Sequence, residues 1–265
     1  MFSQMRSILS PILDRISTVW TELNRSRSPV DLGKLDRVYP ISSLFGCDRG
    51  QPIDRHYIEN FLLRHERDIC GSVMEIGDDT YTRRFGGDQV TRCDILHAVE
   101  GNPSATIVAD LAQADDIPSA TFDCILLTQT LQFIYDLPAA VDHLHRIMKP
   151  EGVLLATFPG ISQISRYDMD RWGDFWRFTT LSAQHLFEEK FSAENVEVQT
   201  YGNVLTAVAL LHGLSVEELK PESFKYQDPD YQVLITVRAK KSKPIHNSEN
   251  NESLQFDPVA EENRE

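Results

Sequence analysis

SVMEIGDD, residues Ser72 to Asp79, joins a short apolar run to an acid and a glycine. Val73, Met74 and Ile76 read as a buried strand, and Gly77 permits a sharp turn where a ligand can approach the backbone. Glu75 then stands at the carboxyl end of that strand. Ligands of open α/β sheets bind outside the carboxyl ends of the strands, so this acid and this glycine mark a candidate cofactor edge. A lone E-x-G is also an ordinary strand end. The full G-x-G-x-x-G is missing, because Asp79 and Tyr81 stand where further glycines would be.

Downstream, Val90 to Leu96 (VTRCDIL) reads as a second strand and Ala105 to Leu111 (ATIVADL) as a third, each with an acid near its carboxyl end, Asp94 and Asp110. The segment from Phe122, FDCILLTQTL, is apolar almost throughout, the pattern of a central parallel strand buried on both faces. Leu137 to Met148 follows as a helix with Pro138 near its start. Lys149 to Gly152 break it, and Val153 to Phe158 form a fifth strand. Strands alternating with helices or connectors predict a doubly wound, mostly parallel sheet of the α/β class. Thr80 to Gln89 leaves space for a stub of helix, and Ala98 to Ser104 is a turn. Between Ile161 and Thr180 periodicity fails, and aromatic and charged residues crowd together. Ser182 is a candidate cap for a helix with Phe187 and Phe191 inside. Val196 to Tyr201 and Tyr231 to Ala239 add late strands around an apolar segment, Val204 to Leu214, which brings the sheet to about seven.

Upstream, Arg49 to His65 reads as a helix opened near Pro52, with Ile58, Phe61 and Leu62 inward. Arg49, Arg55, His56 and Tyr57 crowd its start, either as a solvated helix end or as a lid over the cofactor edge. Phe2 to Leu23 places Ile12, Ile16, Val19, Trp20 and Leu23 on one helical stripe, suited to packing on the domain, on a second subunit or in a biosynthetic complex, or to lying on a membrane surface as an amphipathic helix. The resulting organisation is an N-terminal helical extension and linker over 1–45, one domain over 46–240 and a polar, acidic tail over 241–265 that is expected to be disordered.

The 265 residues include 41% hydrophobic ones, enough for a sizeable core, and the net charge of −14 argues against a nucleic-acid partner. Cys47, Cys70, Cys93 and Cys124 are widely spaced with no metal-ligand pattern, so reduced, mostly buried thiols and no metal are expected. No apolar run reaches the roughly 18 residues that span a membrane, and the first residues lack the form of a signal peptide. A cytoplasmic protein is the simplest expectation.

Five segments in order resemble the Rossmann-like class I S-adenosylmethionine-dependent methyltransferases of the methyltransferase type 11 group. They are VMEIG, the acid Asp94 after it, ADL with Asp110, IPSATFDCILLTQTLQFI, and HRIMKPEGVLLATFPG. The resemblance implies S-adenosylmethionine as cofactor. In that family pattern Asp94 would accept the ribose hydroxyls, Asp110 the adenine amine with Leu111 against the ring, while the backbone near Gly77 and the Gln129 side chain would meet the methionine part and Glu75 would belong to the cofactor edge of the first motif. This chain departs from the pattern in its single first-loop glycine and in Glu151 at a family glycine. A dinucleotide-binding oxidoreductase is disfavoured, because Asp78 and Asp79 would face a pyrophosphate. A non-catalytic interaction module on the same fold is the other alternative.

Methyl transfer depends chiefly on proximity and orientation, and needs a base only for a weakly acidic acceptor. The aromatic and charged stretch from Ile161 to Thr180 suits a small-molecule or glycan acceptor, methylated at a hydroxyl, with Asp170, Trp176 and Arg177 as candidate catalytic and acceptor-wall residues. His143 and His145, on the helix after the fourth strand, read as structural.

Overall fold

The apolar run from Phe122 forms the centre of the sheet as β4 (Phe122–Thr128), and alternate residues of it enter different layers. Phe122, Ile125 and Leu127 pack into one hydrophobic cluster, Cys124 and Leu126 into the other, so neither face tolerates a polar residue there. The computed structural model describes residues 33–243; the expected helix of Phe2 to Leu23 and the tail beyond Lys243 lie outside the described residues. The chain divides into two compact units, Met1–Tyr39 and Pro40–Glu265. Of the first, the described part holds one short turn of helix at Gly33–Leu35 and the Arg37 guanidinium over the Tyr39 ring.

In the second unit, β1 (Gly71–Ile76), β2 (Val90–His97), β3 (Ile107–Val108), β4 and β5 (Met148–Pro159) run parallel. β7 (Leu234–Lys240) lies antiparallel between β5 and β6 (Val196–Tyr201). The order across the sheet is β3-β2-β1-β4-β5-β7-β6, and it reverses between β1 and β4, the place where doubly wound sheets open a crevice. The layer over one face is built by α1 (Ile53–Arg64), which buries Ile53, Tyr57, Ile58, Phe61 and Leu62, and by α5 (Val204–Leu211). Helices α2 (Leu137–Ile147) and α4 (Thr180–Glu188) cover the other face; α3 (Arg166–Met169) is a single turn between β5 and α4. The doubly wound, mostly parallel seven-stranded sheet expected from the sequence is therefore the fold.

Several local readings change. The third strand is two residues long rather than seven, because Asp110 turns its carboxylate onto the Ala112 N–H and starts a 3-10 turn at Leu111. The helix after Phe178 is capped by Thr179, with Ser182 as the reciprocal member of the capping box instead of the cap. Within the apolar Val204 to Leu214 segment, Val204–Leu211 form a helix, opened by a second box between Asn203 and Thr206. Cys124 is buried and Cys70 and Cys93 partly so, but Cys47 is exposed; all four are free. His145 packs edge-on against Phe191, as befits a structural residue.

Candidate active site

The carboxyl ends of β1, β4 and β5 open into a cavity of about 370 Å³, walled also by the start of α1 and by the segment after β5. Its position follows from topology, since β1 and β4 send their following connections to opposite sides of the sheet.

Glu75 is 3% exposed and lines this cavity, but its two oxygens accept the backbone N–H groups of Tyr81 (3.1 Å) and Thr82 (2.7 Å). It thus closes the start of the connector after β1. Burial pushes its carboxyl up, and those N–H bonds work against the shift. Gly77 has φ +86°, and a side chain there would meet open space, so the glycine serves its backbone angle rather than a tight contact. Its carbonyl accepts from Asn102 Nδ2 at 2.7 Å, which ties the β1 end to the turn after β2.

The cofactor-side acids are placed differently from expectation. Asp94 lies in mid-strand opposite Met74, not at the end of β2, because β2 continues through Ile95 and Leu96 to His97. Its buried carboxylate accepts at Oδ1 from the Thr106 hydroxyl and from Arg92 Nη2, both at 3.0 Å, while Oδ2 lies 2.8 Å from Arg92 Nε without a hydrogen bond of its own; Asp94 does not line the cavity. The strand end belongs to His97, whose ring meets Trp172 edge-on. Asp110 is exposed and caps the turn described above, while Leu111 is 3% exposed in the core; neither lines the cavity.

Gln129 does line it, at the end of β4, with φ +48° and its N–H on the Thr157 carbonyl at 3.0 Å. A non-glycine residue held in the left-handed region costs on the order of 1–3 kcal/mol and collects at functional sites. The Gln129 side-chain oxygen accepts from Gln132 Nε2 at 3.2 Å, one turn further on. Gln132 is 4% exposed, and its own oxygen has no protein partner. A buried, unpartnered amide oxygen in the cavity wall fits a donor such as the ammonium of S-adenosylmethionine, and the carboxylates of Asp54 and Asp78 in the same walls suit a ligand with a positive sulfur.

On the acceptor side, Arg177 lines the cavity but is a hub of the 162–177 segment. Its Nη2 donates to Asp174 Oδ2 (2.9 Å) and to the Gln163 carbonyl (2.7 Å), and its Nη1 to the Trp176 carbonyl (2.8 Å). Asp174, with its side chain 1% exposed, also accepts the Ser165 N–H at 3.0 Å. The expectation that Asp170 and Trp176 face the acceptor is corrected. The Asp170 side chain is 62% exposed beside Arg166 and outside the cavity. Trp176 packs on the core, donates to the Ile134 carbonyl at 3.0 Å and stacks on Tyr135. The stretch turns inward at Asp168 and Asp174 because the short α3, capped by Ser165, throws Asp170 to the outside.

Sequence reasoning missed Asp54, Tyr81 and Gln132, which also line the cavity, as does Asp78, weighed there only against a pyrophosphate. Of these only Gln132 carried a signal, its three-residue spacing from Gln129. The crowded start of α1 divides: Arg55 lines the cavity, Arg49 pairs with Glu218, His56 packs on Phe224, and Tyr57 is core. Among the described residues no group of three or more His, Cys, Asp or Glu is placed to hold a metal ion, and no helix is long and apolar enough to cross a membrane.

Comparison with known proteins bears on this site. Residues 58–200, more than half of the chain, match the family model of the methyltransferase domain. A rat protein named arginine-hydroxylase NDUFAF5, mitochondrial, is 26% identical over 132 residues, which cover 47% of this chain; the chain spans about a third (32%) of that relative. Among solved structures, a SAM dependent methyltransferase from Archaeoglobus fulgidus superposes with TM-score 0.48 at 13% identity over 71% of this chain and 94% of that one. N-methyltransferase NodS from Bradyrhizobium japonicum WM9, in complex with S-adenosyl-L-homocysteine, gives 0.46 at 13% over 77% and 95%. Superpositions this loose leave the assignment to the family match, with which the strand order and the carboxyl-end cavity agree. The chain belongs to the methyltransferase domain family.

Proposed function

We propose that the protein methylates a hydroxyl of a polar small molecule or glycan that enters between the start of α1 and the 161–180 segment. The observation that carries this reading is Asp54, a carboxylic acid in the wall of the cavity that the end of β4 also lines. Asp54 is half-buried by surface yet enclosed by protein atoms, and that burial pushes its carboxyl up, against the opposing pull of Arg55. A carboxylate of raised basicity is a better acceptor for the proton that an alcohol must lose.

Bound S-adenosylmethionine supplies an electrophilic methyl group on a positively charged sulfur. The chain's own residues then have three tasks. Gln129 and Gln132 hold the amino-acid end through amide oxygens and backbone, and Gly77 leaves its edge open for the ligand to lie along. Arg177 and Asp174 keep the 162–177 wall in one arrangement, so that an acceptor is positioned rather than merely admitted. Asp54 takes the hydroxyl proton as the oxygen–carbon bond forms and the carbon–sulfur bond breaks, its electron pair leaving on a neutral thioether.

Incubation with labelled methyl donor and a panel of glycan and polyol acceptors tests the reading. Asp54→Asn should lower transfer by about 100-fold or more, within the range of general-base contributions, with affinity for S-adenosylhomocysteine kept within a few fold. The acidic limb of the wild-type pH profile should lie above the ordinary carboxylate range, because the base is Asp54 with its carboxyl pushed up. Transfer to amines but not alcohols, unaffected by the substitution, would overturn the hydroxyl acceptor.

A further inference from the structure

Single exposed aromatic rings are ordinary on a protein surface, so the informative ones are those held together in a fixed arrangement. Tyr135 and Phe175 are 72% and 47% exposed and meet edge-on, with ring centres 5.4 Å apart and planes at 71°. Both rings are propped in place. Tyr135 stacks on Trp176 at 5.9 Å, and Trp176 is anchored by its bond to the Ile134 carbonyl. Phe175 folds over Gly173, where a Cβ would stand 2.3 Å from the Phe175 Cζ, and φ +95° at that glycine permits the turn. Tyr167, exposed on the same segment, differs: the guanidinium carbon of Arg171 covers its ring, 3.4 Å from the centre. No cation lies over the Tyr135 ring among the described residues.

This corner of rings continues the wall of the cavity. It joins the segment after β4 to the segment after β5, which are stitched together by the Phe175 N–H bond to the Gln132 carbonyl at 2.8 Å. Gln132, Phe133 and Asp174, close neighbours along the chain, line the cavity. Its volume of about 370 Å³ stands near the small end of ligand cavities, roughly 300–1,000 Å³, and must take a methyl donor as well as the reacting group. An acceptor larger than one ring therefore leaves its remainder on the surface beside the cavity. A sugar ring suits the corner. It carries polarised C–H bonds on one face, which the negative face of an aromatic ring attracts, and hydroxyls around its edge that stay in water. A stable protein partner would instead need a face of about 20–30 residues, and the exposed Asp136 follows Tyr135 directly.

We propose that Tyr135 and Phe175 form a sugar-binding corner beside the cavity, and that the acceptor is a glycan of at least two units. One unit reacts inside the cavity while its neighbour lies on the Tyr135 ring. The corner rests on the hydroxyl-acceptor reading above for the event inside the cavity, and it adds a binding site and a minimum acceptor length to that reading.

Saturation-transfer NMR on the whole chain, saturated with S-adenosylhomocysteine, tests it with maltotriose, cellotriose and chitotriose beside the matching monosaccharides. At least one trisaccharide is expected to bind wild type more tightly than its monosaccharide, with transfer concentrated on the C–H protons of one ring face. Tyr135→Ala and Tyr135→Leu weaken that trisaccharide by about tenfold or more and Phe175→Ala by less, whereas Tyr135→Phe stays within about twofold, because the aromatic face rather than the apolar area does the binding. Affinity for S-adenosylhomocysteine stays within about twofold in every variant, which a collapse of the wall would not allow. Wild type that binds no trisaccharide better than its monosaccharide, or Tyr135→Ala that binds as wild type does, overturns the corner. So does a dimer, seen by light scattering, that Tyr135→Ala dissociates, since the rings then face a second copy. Labelled-methyl transfer separates the two readings. Transfer to a trisaccharide hydroxyl that Tyr135→Ala leaves unchanged keeps the hydroxyl acceptor and removes the corner; trisaccharide binding through Tyr135 with transfer only to amines keeps the corner and removes the hydroxyl acceptor. Should Tyr135→Ala fail to fold, Tyr135→Leu and Phe175→Ala give the same comparison.

Discussion

Arg177→Met removes the cation that holds the 162–177 wall while keeping an apolar stem of similar length. Asp174 then loses its guanidinium partner and keeps the Ser165 N–H, with its side chain still 1% exposed. Breaking a buried ion pair by deleting one partner costs about 3–5 kcal/mol. The Arg177 side chain is 27% exposed, so water can in part reach the vacated place and the lower end, about 3 kcal/mol, is expected. For a domain of this size that corresponds to a fall in melting temperature of roughly 6–12 °C. The effect also has a pH signature. In the wild type, burial alone would push the Asp174 carboxyl up, but Arg177 and the Ser165 N–H outweigh it and hold it low. A depressed carboxyl contributes stability that is present above its unfolded pKa and is lost as pH falls through the folded one. In the variant burial prevails, the folded pKa rises, and protonation relieves the penalty. The gap between variant and wild type should therefore be widest at pH 7 and shrink as pH falls toward about 4. Thermal melts at a series of pH values, with Asp174→Asn and the double variant to complete the cycle, measure it. A gap below about 1 kcal/mol at pH 7, or one that does not change with pH, would refute the assignment of Arg177 as the wall's hub.

Asp54→Asn, described above, is expected to lower methyl transfer while ligand affinity is kept. Gly160→Ala should be far more damaging than Gly77→Ala. A side chain at 160 would stand 2.0 Å from the Gln232 carbonyl oxygen, across the seam closed by the Ile161 N–H bond to the same carbonyl, whereas one at 77 meets nothing. About 3 kcal/mol is expected at 160, from overpacking against backbone, and about 1–2 kcal/mol at 77, from φ +86° alone, with urea unfolding as the measurement. Arg238→Gln should cost about 1 kcal/mol at pH 7. Arg238 donates to both Asp68 oxygens, at 2.8 and 3.0 Å. Burial would push Asp68 up, but His65 and Arg238 hold it well below the carboxylate range, so this stability is present above the unfolded pKa and fades as pH falls through the lower folded one. Urea midpoints of variant and wild type should therefore converge in acid.

The sequence by itself determined the sheet. Val73 and Met74, the run from Phe122 and the strand at Val153 to Phe158 are apolar on both faces, and only a central parallel strand covered by helices buries such a run, so element types and order follow from local pattern. The same pattern singled out Glu75 and Gln129, both of which line the cavity. Tertiary structure decided which side chains face the cavity. Asp94 reads as a strand end by its distance from Glu75, but the end of β2 is set by pairing with β1 and β3, which carries the strand three residues further to His97. Asp170 and Trp176 read as acceptor residues by composition, yet one turn of helix capped by Ser165 and the Trp176 bond to Ile134 turn them outward and coreward. Asp54, Arg55 and Tyr81 come from segments that meet only when α1 packs over the sheet beside the connector after β1. Spacing along the chain encodes contacts within an element or a turn; a contact between residues 26 positions apart depends on how two elements pack, and no local period records it.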